Sequence, residues 1–158
     1  INDIITGINE FSLTKNRMEV DNFKDNITII NDAYNASYDS MKAALEFLGS
    51  FKDKYKIAVL GDMLELGEFS NELHLKVGKS VYENNIDLLV TVGDYSKKIA
   101  EGARILGMPE ENVKSVDNNS DAIKFLEKVI IGNSAILLKA SNSMKFSEIY
   151  NEISKKLK

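Results

Sequence analysis

Residues 26–48 read N-I-T-I-I-N-D-A-Y-N-A-S-Y-D-S-M-K-A-A-L-E-F-L, and the rest of the chain can be read outward from them. Ile27-Thr28-Ile29-Ile30 is a short apolar, β-branched run, the composition of a buried strand. Polar Asn31, Asp32, Tyr34 and Asn35 follow at once. Asp39 or Ser40 then offers an N-cap oxygen, and Met41, Ala44, Leu45 and Leu48 recur at helical spacing. The unit is strand, polar loop, helix. In an open parallel sheet, ligands bind at the loops that leave the carboxyl ends of strands. Asp32 and Asn35 are therefore candidate ligand residues, although both side chains also cap backbone groups and would serve equally to shape a turn.

Upstream, Arg17-Met18-Glu19-Val20 faces the Ile27 strand across a polar turn over residues 21–25, which predicts an antiparallel hairpin. Residues 1–11 carry Ile1, Ile4, Ile5 and Ile8 at helical spacing. Downstream, apolar runs at residues 57–60, 87–92, 113–116 and 134–138 read as strands. Helical patterns cover residues 71–83 and 95–106, a segment capped by Asn119 or Ser120 and running to 129, and residues 144–157. Pro109 and Gly107 stop the second of these. This alternation predicts an α/β, Rossmann-like fold: a mostly parallel open sheet with helices on both faces and an antiparallel hairpin at its start. No internal linker interrupts residues 1–158, so one domain is expected.

Composition narrows the function classes. With 158 residues, 44% of them hydrophobic and 28% charged, the chain can bury a core of ordinary size. A formal charge of −4 offers no basic footprint for nucleic acid. The sequence has no cysteine, which excludes disulfides and thiolate chemistry and suits a reducing, cytoplasmic setting. No apolar run approaches the roughly 20 residues of a membrane-spanning helix, so no membrane insertion is expected. The chain begins at Ile1 rather than a methionine, and we expect a piece of a longer protein.

The exit loops would line Asp32, Asn35, Asp62, Glu65, Asp94, Lys139, Ser141 and Ser143 along one edge of the sheet. Asp32 is suited to accept hydrogen bonds from a ribose, and Arg17 to contact a phosphate. Lys139 with Ser141 and Ser143 would suit a carboxylate. His74 is the only histidine and has no cysteine or second histidine to share a metal with. Its expected role is a partly buried hydrogen-bonding one. There is no G-x-x-x-x-G-K-[ST] loop, no G-x-G-x-x-G fingerprint and no Ser-His-Asp set. The chain reads as half an active site. A stand-alone flavodoxin-like or receiver-type module is the alternative, although the acid pair a receiver needs after its first strand is missing.

Three motifs carry a resemblance to a known family. Arg17-Met18-Glu19-Val20 followed by Asn31-Asp32-Ala33-Tyr34-Asn35-Ala36-Ser37-Tyr38-Asp39-Ser40-Met41 resembles the start of the C-terminal domain of a Mur ligase. Gly61-Asp62-Met63-Leu64-Glu65-Leu66-Gly67, with His74 and Gly78 after it, is similar to a second signature of that family, and Lys139-Ala140-Ser141-Asn142-Ser143-Met144 to its K-G-S-R-S-M loop. The likeness runs in order along nearly the whole chain. It implies a three-domain enzyme that uses ATP and Mg2+ to make an acyl phosphate on a UDP-N-acetylmuramoyl-tripeptide, which the amine of D-alanyl-D-alanine then attacks. The missing central domain would bind most of the ATP and the Mg2+. By the same resemblance Arg17, Asp32, Tyr34 and Asn35 would be ATP-binding. Asp62, Met63, Leu64, Glu65, Lys139, Ser141 and Ser143 would surround the dipeptide. No residue of this domain is expected to be catalytic, and the enzyme is expected to be a monomer. A relative that adds another amino acid, such as another Mur ligase or a folylpolyglutamate synthetase, is the alternative within the class. The chain departs from the family pattern at Ser37-Tyr38, where asparagine and proline are usual, at Ala140 for glycine, and at Asn142 for arginine.

Overall fold

The structure, a computed structural model, describes residues 18–158. The helix expected over residues 1–11 and Arg17 lie outside the described residues. The described strands form one sheet: β1 (Glu19–Phe23), β2 (Ile27–Asn31), β3 (Tyr55–Gly61), β4 (Leu88–Val92), β5 (Val113–Val116) and β6 (Ser134–Lys139), in the order β1-β2-β6-β3-β4-β5. The expected hairpin is present. β1 pairs antiparallel with β2, Val20 opposite Ile30 and Phe23 opposite Ile27, and every other pairing is parallel. The turn is shorter than expected. Residues 21–23 extend β1, and Lys24–Asn26 makes the reversal with Asp25 and Asn26 at positive φ, a conformation these short polar side chains tolerate.

Period-two alternation along the strands builds two cores. Ile30, Ala58, Leu60, Leu89 and Leu137 point to one face, where α1 (Tyr38–Gly49), α2 (Ser70–Glu83) and α3 (Lys97–Ile105) cover them. Ile29, Ile57, Val59, Val90, Ile136 and Leu138 point to the other, under α4 (Asn119–Val129) and α5 (Ser147–Leu157). β2, β3, β4 and β6 are almost wholly buried along their lengths because both faces are covered, whereas the edge strand β1 alternates between half-buried and exposed. Tyr150 of α5 donates to the Asp21 carboxylate of β1, and burial with that bond pushes the phenol up to about 12.

Helix starts differ from the expectation by small amounts with clear causes. The N-cap of α1 is Ser37, not Asp39 or Ser40. Ser37 Oγ accepts from Ser40 N at 3.2 Å and Ser40 Oγ accepts from Ser37 N at 2.9 Å, a reciprocal capping box. Ser37 thus has a defined role at the helix start. Likewise α4 is capped by Asn118, whose Oδ1 accepts from Asp121 N at 2.8 Å, rather than by Asn119 or Ser120. The last helix starts at Ser147, not 144: Asn142–Met144 forms a separate 3-10 turn and Lys145 adopts a left-handed conformation with φ 55°.

The position of β6 decides where the candidate residues meet. The chain runs β2, α1, β3, leaving a gap that β6 fills last, so the exits of β2, β6 and β3 become neighbours. Asp32 N continues the ladder by donating to Leu138 O at 2.9 Å, and Ser141 N donates to Asp62 O at 3.0 Å.

Candidate functional site at the carboxyl edge of the sheet

Lys139 ends β6 in phase with Leu137, so its side chain lies on the α1 face. Asp32, one residue past β2, falls on the same face beside it. Lys139 is 2% exposed and Asp32 5%. The ammonium donates to Asp32 Oδ2 at 2.7 Å and to the Asn35 carbonyl at 2.9 Å, and Asp32 Oδ1 accepts from Met18 N at 3.1 Å. A buried ion pair of this kind needs its geometry satisfied on both sides to offset desolvation. Here one carboxylate joins the start of β1, the loop after β2 and the end of β6.

Beside this pair lies an open cavity of about 380 Å³, whose walls include Asp32, Tyr34, Asn35 and Lys139. Tyr34 and Asn35 are exposed on its rim. The remaining wall comes from Met18 and from the first turns of α1: Ser37, Ser40, Ala43 and Ala44. The α1 residues escaped the sequence reading. Their signal was available in the S-x-x-S capping spacing and in the alanine pair, which leaves room where a larger helical residue would fill the cavity.

A second cluster gathers around Ser141. Its hydroxyl accepts from Leu64 N at 2.9 Å, and its N–H holds the Asp62 carbonyl, so the exit loops of β3 and β6 are stitched together. Asp62 is buried, and its Oδ1 accepts from Ser96 N at 2.7 Å, at the start of α3 where a carboxylate is favoured by the helix dipole. Gly93 (φ 111°) passes so close that an added Cβ would sit 2.6 Å from Asp62 Oδ2. Met63 is in the core, Leu64 is half-buried, and Glu65 and Ser143 are exposed, Glu65 with φ 65°. Ala140 has its methyl 2.6 Å from where a Cβ on Gly61 would stand, so this alanine and that glycine share one small space against Phe146.

The two groups expected from the sequence are therefore regrouped. Lys139 stands with Asp32, Tyr34 and Asn35, while Ser141 stands with residues 62–64. The side chains of Asp62 and Met63 are buried, and Met63 N and the Asp62 carbonyl are held by His74 and Ser141 N, which leaves Leu64 half-buried and Glu65 exposed at the edge of the sheet.

His74 latches the second cluster. It is fully buried; Nε2 accepts from Met63 N at 3.0 Å and Nδ1 donates to the Ser70 carbonyl at 2.6 Å, the neutral tautomer with the proton on Nδ1. Burial pushes the imidazole below its usual range, against smaller opposing pulls from the Ser70 carbonyl and the Asp62 carboxylate. The unfolded chain takes up this proton near pH ~6.5 and the folded one resists it. The stability this histidine contributes is thus complete above that pH and is lost as pH falls below it. Thermal melts between about pH 7 and pH 5 should show the wild-type Tm falling with acid, with a shallower slope for His74→Gln. Equal slopes would show that His74 protonation is not linked to folding.

The sequence and fold can be set beside known proteins at this point. Residues 16–142 match the family model described as Mur ligase, glutamate ligase domain, and the chain belongs to that family. The UDP-N-acetylmuramoyl-tripeptide–D-alanyl-D-alanine ligase of Bacillus subtilis is 34% identical over 152 residues, which cover 96% of this chain and 33% of that protein. The enzyme of the same name from Buchnera aphidicola is 34% identical over 94% of this chain and 31% of its own length. Among solved structures, MurF from Acinetobacter baumannii superposes with a TM-score of 0.82 at 26% identity, over 98% of this chain and 34% of that one. MurF from Thermotoga maritima in complex with ADP gives 0.73 at 25% identity, over 90% of this chain and 31% of that one. The chain spans about a third of the length of the curated relatives it matches.

Proposed function

We propose that the chain is the C-terminal domain of an ATP-dependent ligase that joins D-alanyl-D-alanine to a UDP-N-acetylmuramoyl-tripeptide in peptidoglycan precursor synthesis. The observation that carries this reading is the buried Asp32 carboxylate on the wall of an open cavity at the carboxyl edge of the sheet, in a chain whose relatives bear that name over almost its full length. A carboxylate has about four acceptor sites. Asp32 uses one on each oxygen, which leaves acceptors for the two hydroxyls of a ribose. The cavity has the size and the mixed polar and apolar wall that suit part of a nucleotide, with Tyr34 and Asn35 at its rim and Arg17 nearby in sequence.

Among the described residues no three His, Cys, Asp or Glu side chains converge on one point. In this reading Mg2+ arrives with the nucleotide and is held mainly by the rest of the enzyme, since this ion is usually bound by one or two carboxylates together with substrate phosphates. The dipeptide side is assigned to Leu64, Glu65, Ser141 and Ser143. The Ser141 hydroxyl accepts from Leu64 N with one of its two lone pairs, and its proton is assigned to a carboxylate of the dipeptide. Among the described residues no helix is long and apolar enough to cross a membrane, and a monomeric cytoplasmic enzyme is proposed.

The full-length protein should release phosphate from ATP only when both the nucleotide-linked tripeptide and D-alanyl-D-alanine are present. Turnover with a single amino acid in place of the dipeptide would move the protein to another branch of the family. The 158-residue chain alone should show no turnover, because it has no triphosphate-gripping loop.

A further inference from the structure

Lysine is almost never fully buried without a partner, and the position that Lys139 occupies continues the apolar Leu137 stripe, where an aliphatic side chain would cover α1 at lower desolvation cost. The charge therefore needs a reason beyond packing. Two contacts suggest one. Lys139 grips Asp32 Oδ2 from below at 2.7 Å, while Met18 N holds Oδ1 at 3.1 Å. With one donor fixed on each oxygen, the carboxylate plane cannot rotate. The second contact, to the Asn35 carbonyl at 2.9 Å, ties the same ammonium to the loop carrying Tyr34 and Asn35. An anchor for an incoming carboxylate would instead need an accessible ammonium whose charge is not already matched.

We propose that Lys139 is a positioning residue for the nucleotide side of the site: it orients the Asp32 carboxylate and the adjoining loop toward the ribose, and it does not bind the dipeptide carboxylate. This rests on the nucleotide reading of the cavity given above. Arginine is not an adequate replacement, because its fork is wider and longer than the single Nζ that meets two oxygens here.

The test uses the full-length enzyme with Lys139→Met, which keeps the stem and removes the charge. Two readouts are needed: ADP binding by calorimetry, and the KM for ATP and for D-alanyl-D-alanine, each substrate varied in turn. Lys139→Met should weaken ADP and raise the KM for ATP about tenfold or more, while the KM for the dipeptide stays within about twofold. Lys139→Gln, which removes the charge but keeps a hydrogen-bond donor within reach of Asp32, carries both readouts if Lys139→Met does not fold. It should show the same split, weaker ADP with an unchanged KM for the dipeptide. A KM rise confined to the dipeptide overturns the proposal and makes Lys139 a carboxylate ligand. Unchanged ADP affinity with only a lower Tm overturns it too, leaving a strut for the fold. A wild-type enzyme that binds ADP without joining the dipeptide would defeat the ligase reading alone, since the ADP titration still reports on Lys139. A wild type that binds no ADP defeats both.

Discussion

Asp32→Ala should cost the 158-residue chain about 3–5 kcal/mol of folding stability, the usual loss when one partner of a buried ion pair is removed. The loss is large because Lys139 is 2% exposed and cannot turn its ammonium out to water without moving β6 or α1. Met18 N loses its acceptor as well. For a chain of this length each kcal/mol moves Tm by roughly 2–4 °C, so the melt should drop by roughly 6–20 °C. Asp32→Asn keeps an acceptor toward Lys139 and should fall between Asp32→Ala and the wild type. Adding Lys139→Met to Asp32→Ala should recover much of the loss, since replacing a whole buried pair by apolar groups is often near neutral. Urea unfolding of the four proteins measures this directly. An exposed loop acid with no buried partner would change stability only within about ±0.5 kcal/mol. A result in that range would mean that Lys139 has no need of it.

Gly78→Ala should lower stability by about 1–3 kcal/mol, although alanine is the better helix former by roughly 1 kcal/mol. The reason lies between two helices. A Cβ at Gly78 of α2 would stand 2.1 Å from the Ile99 carbonyl oxygen and 2.7 Å from Ala103 N, both on α3. A Cβ at Gly102 of α3 would stand 2.3 Å from the Leu75 carbonyl oxygen on α2. The obstacles are backbone atoms, which cannot swing aside as a side chain would. The helices must separate, and Val77, Val81, Ile99 and Ala103 lose contacts beneath them. Lys79→Ala, one residue along on the exposed side of α2, is the control and should stay within about 0.5 kcal/mol of wild type. A neutral or stabilising Gly78→Ala would show that the close crossing does not persist in solution.

The separation of α2 from α3 matters for the site as well as the core. Both helices start at the second cluster: His74 of α2 holds Met63 N, and Ser96 N before α3 holds Asp62. Widening the crossing would pull on both ends of the loop proposed to face the dipeptide. The Gly61–Asp62 exit and the Gly93 approach serve the same contact, because only glycine at 93 lets the backbone pass this near the Asp62 carboxylate.

Much of this protein was legible in its sequence because the signals are local. An apolar run of four to seven residues with β-branched members forms a strand wherever both faces are covered, and residues 27–30, 57–60 and 134–138 all lie in strands. The hairpin at the start and the helical face of Met41 to Leu48 followed from spacing, the hydrogen-bonding role of His74 from its lack of metal-binding company, and the candidacy of Asp32 from its place directly after a strand. Motif order along the chain carried the family. What only the tertiary structure decided is which exit loops are neighbours. Strand order depends on how crossovers pack over the sheet, and no residue within β6 encodes that it enters between β2 and β3. That insertion sets Lys139 against Asp32, 107 positions away, and leaves Ser141 to the loop at Asp62. A lysine written after a buried strand reads as a charge at the edge of solvent. Two residues of register and one face of the sheet turn it into a buried counter-ion.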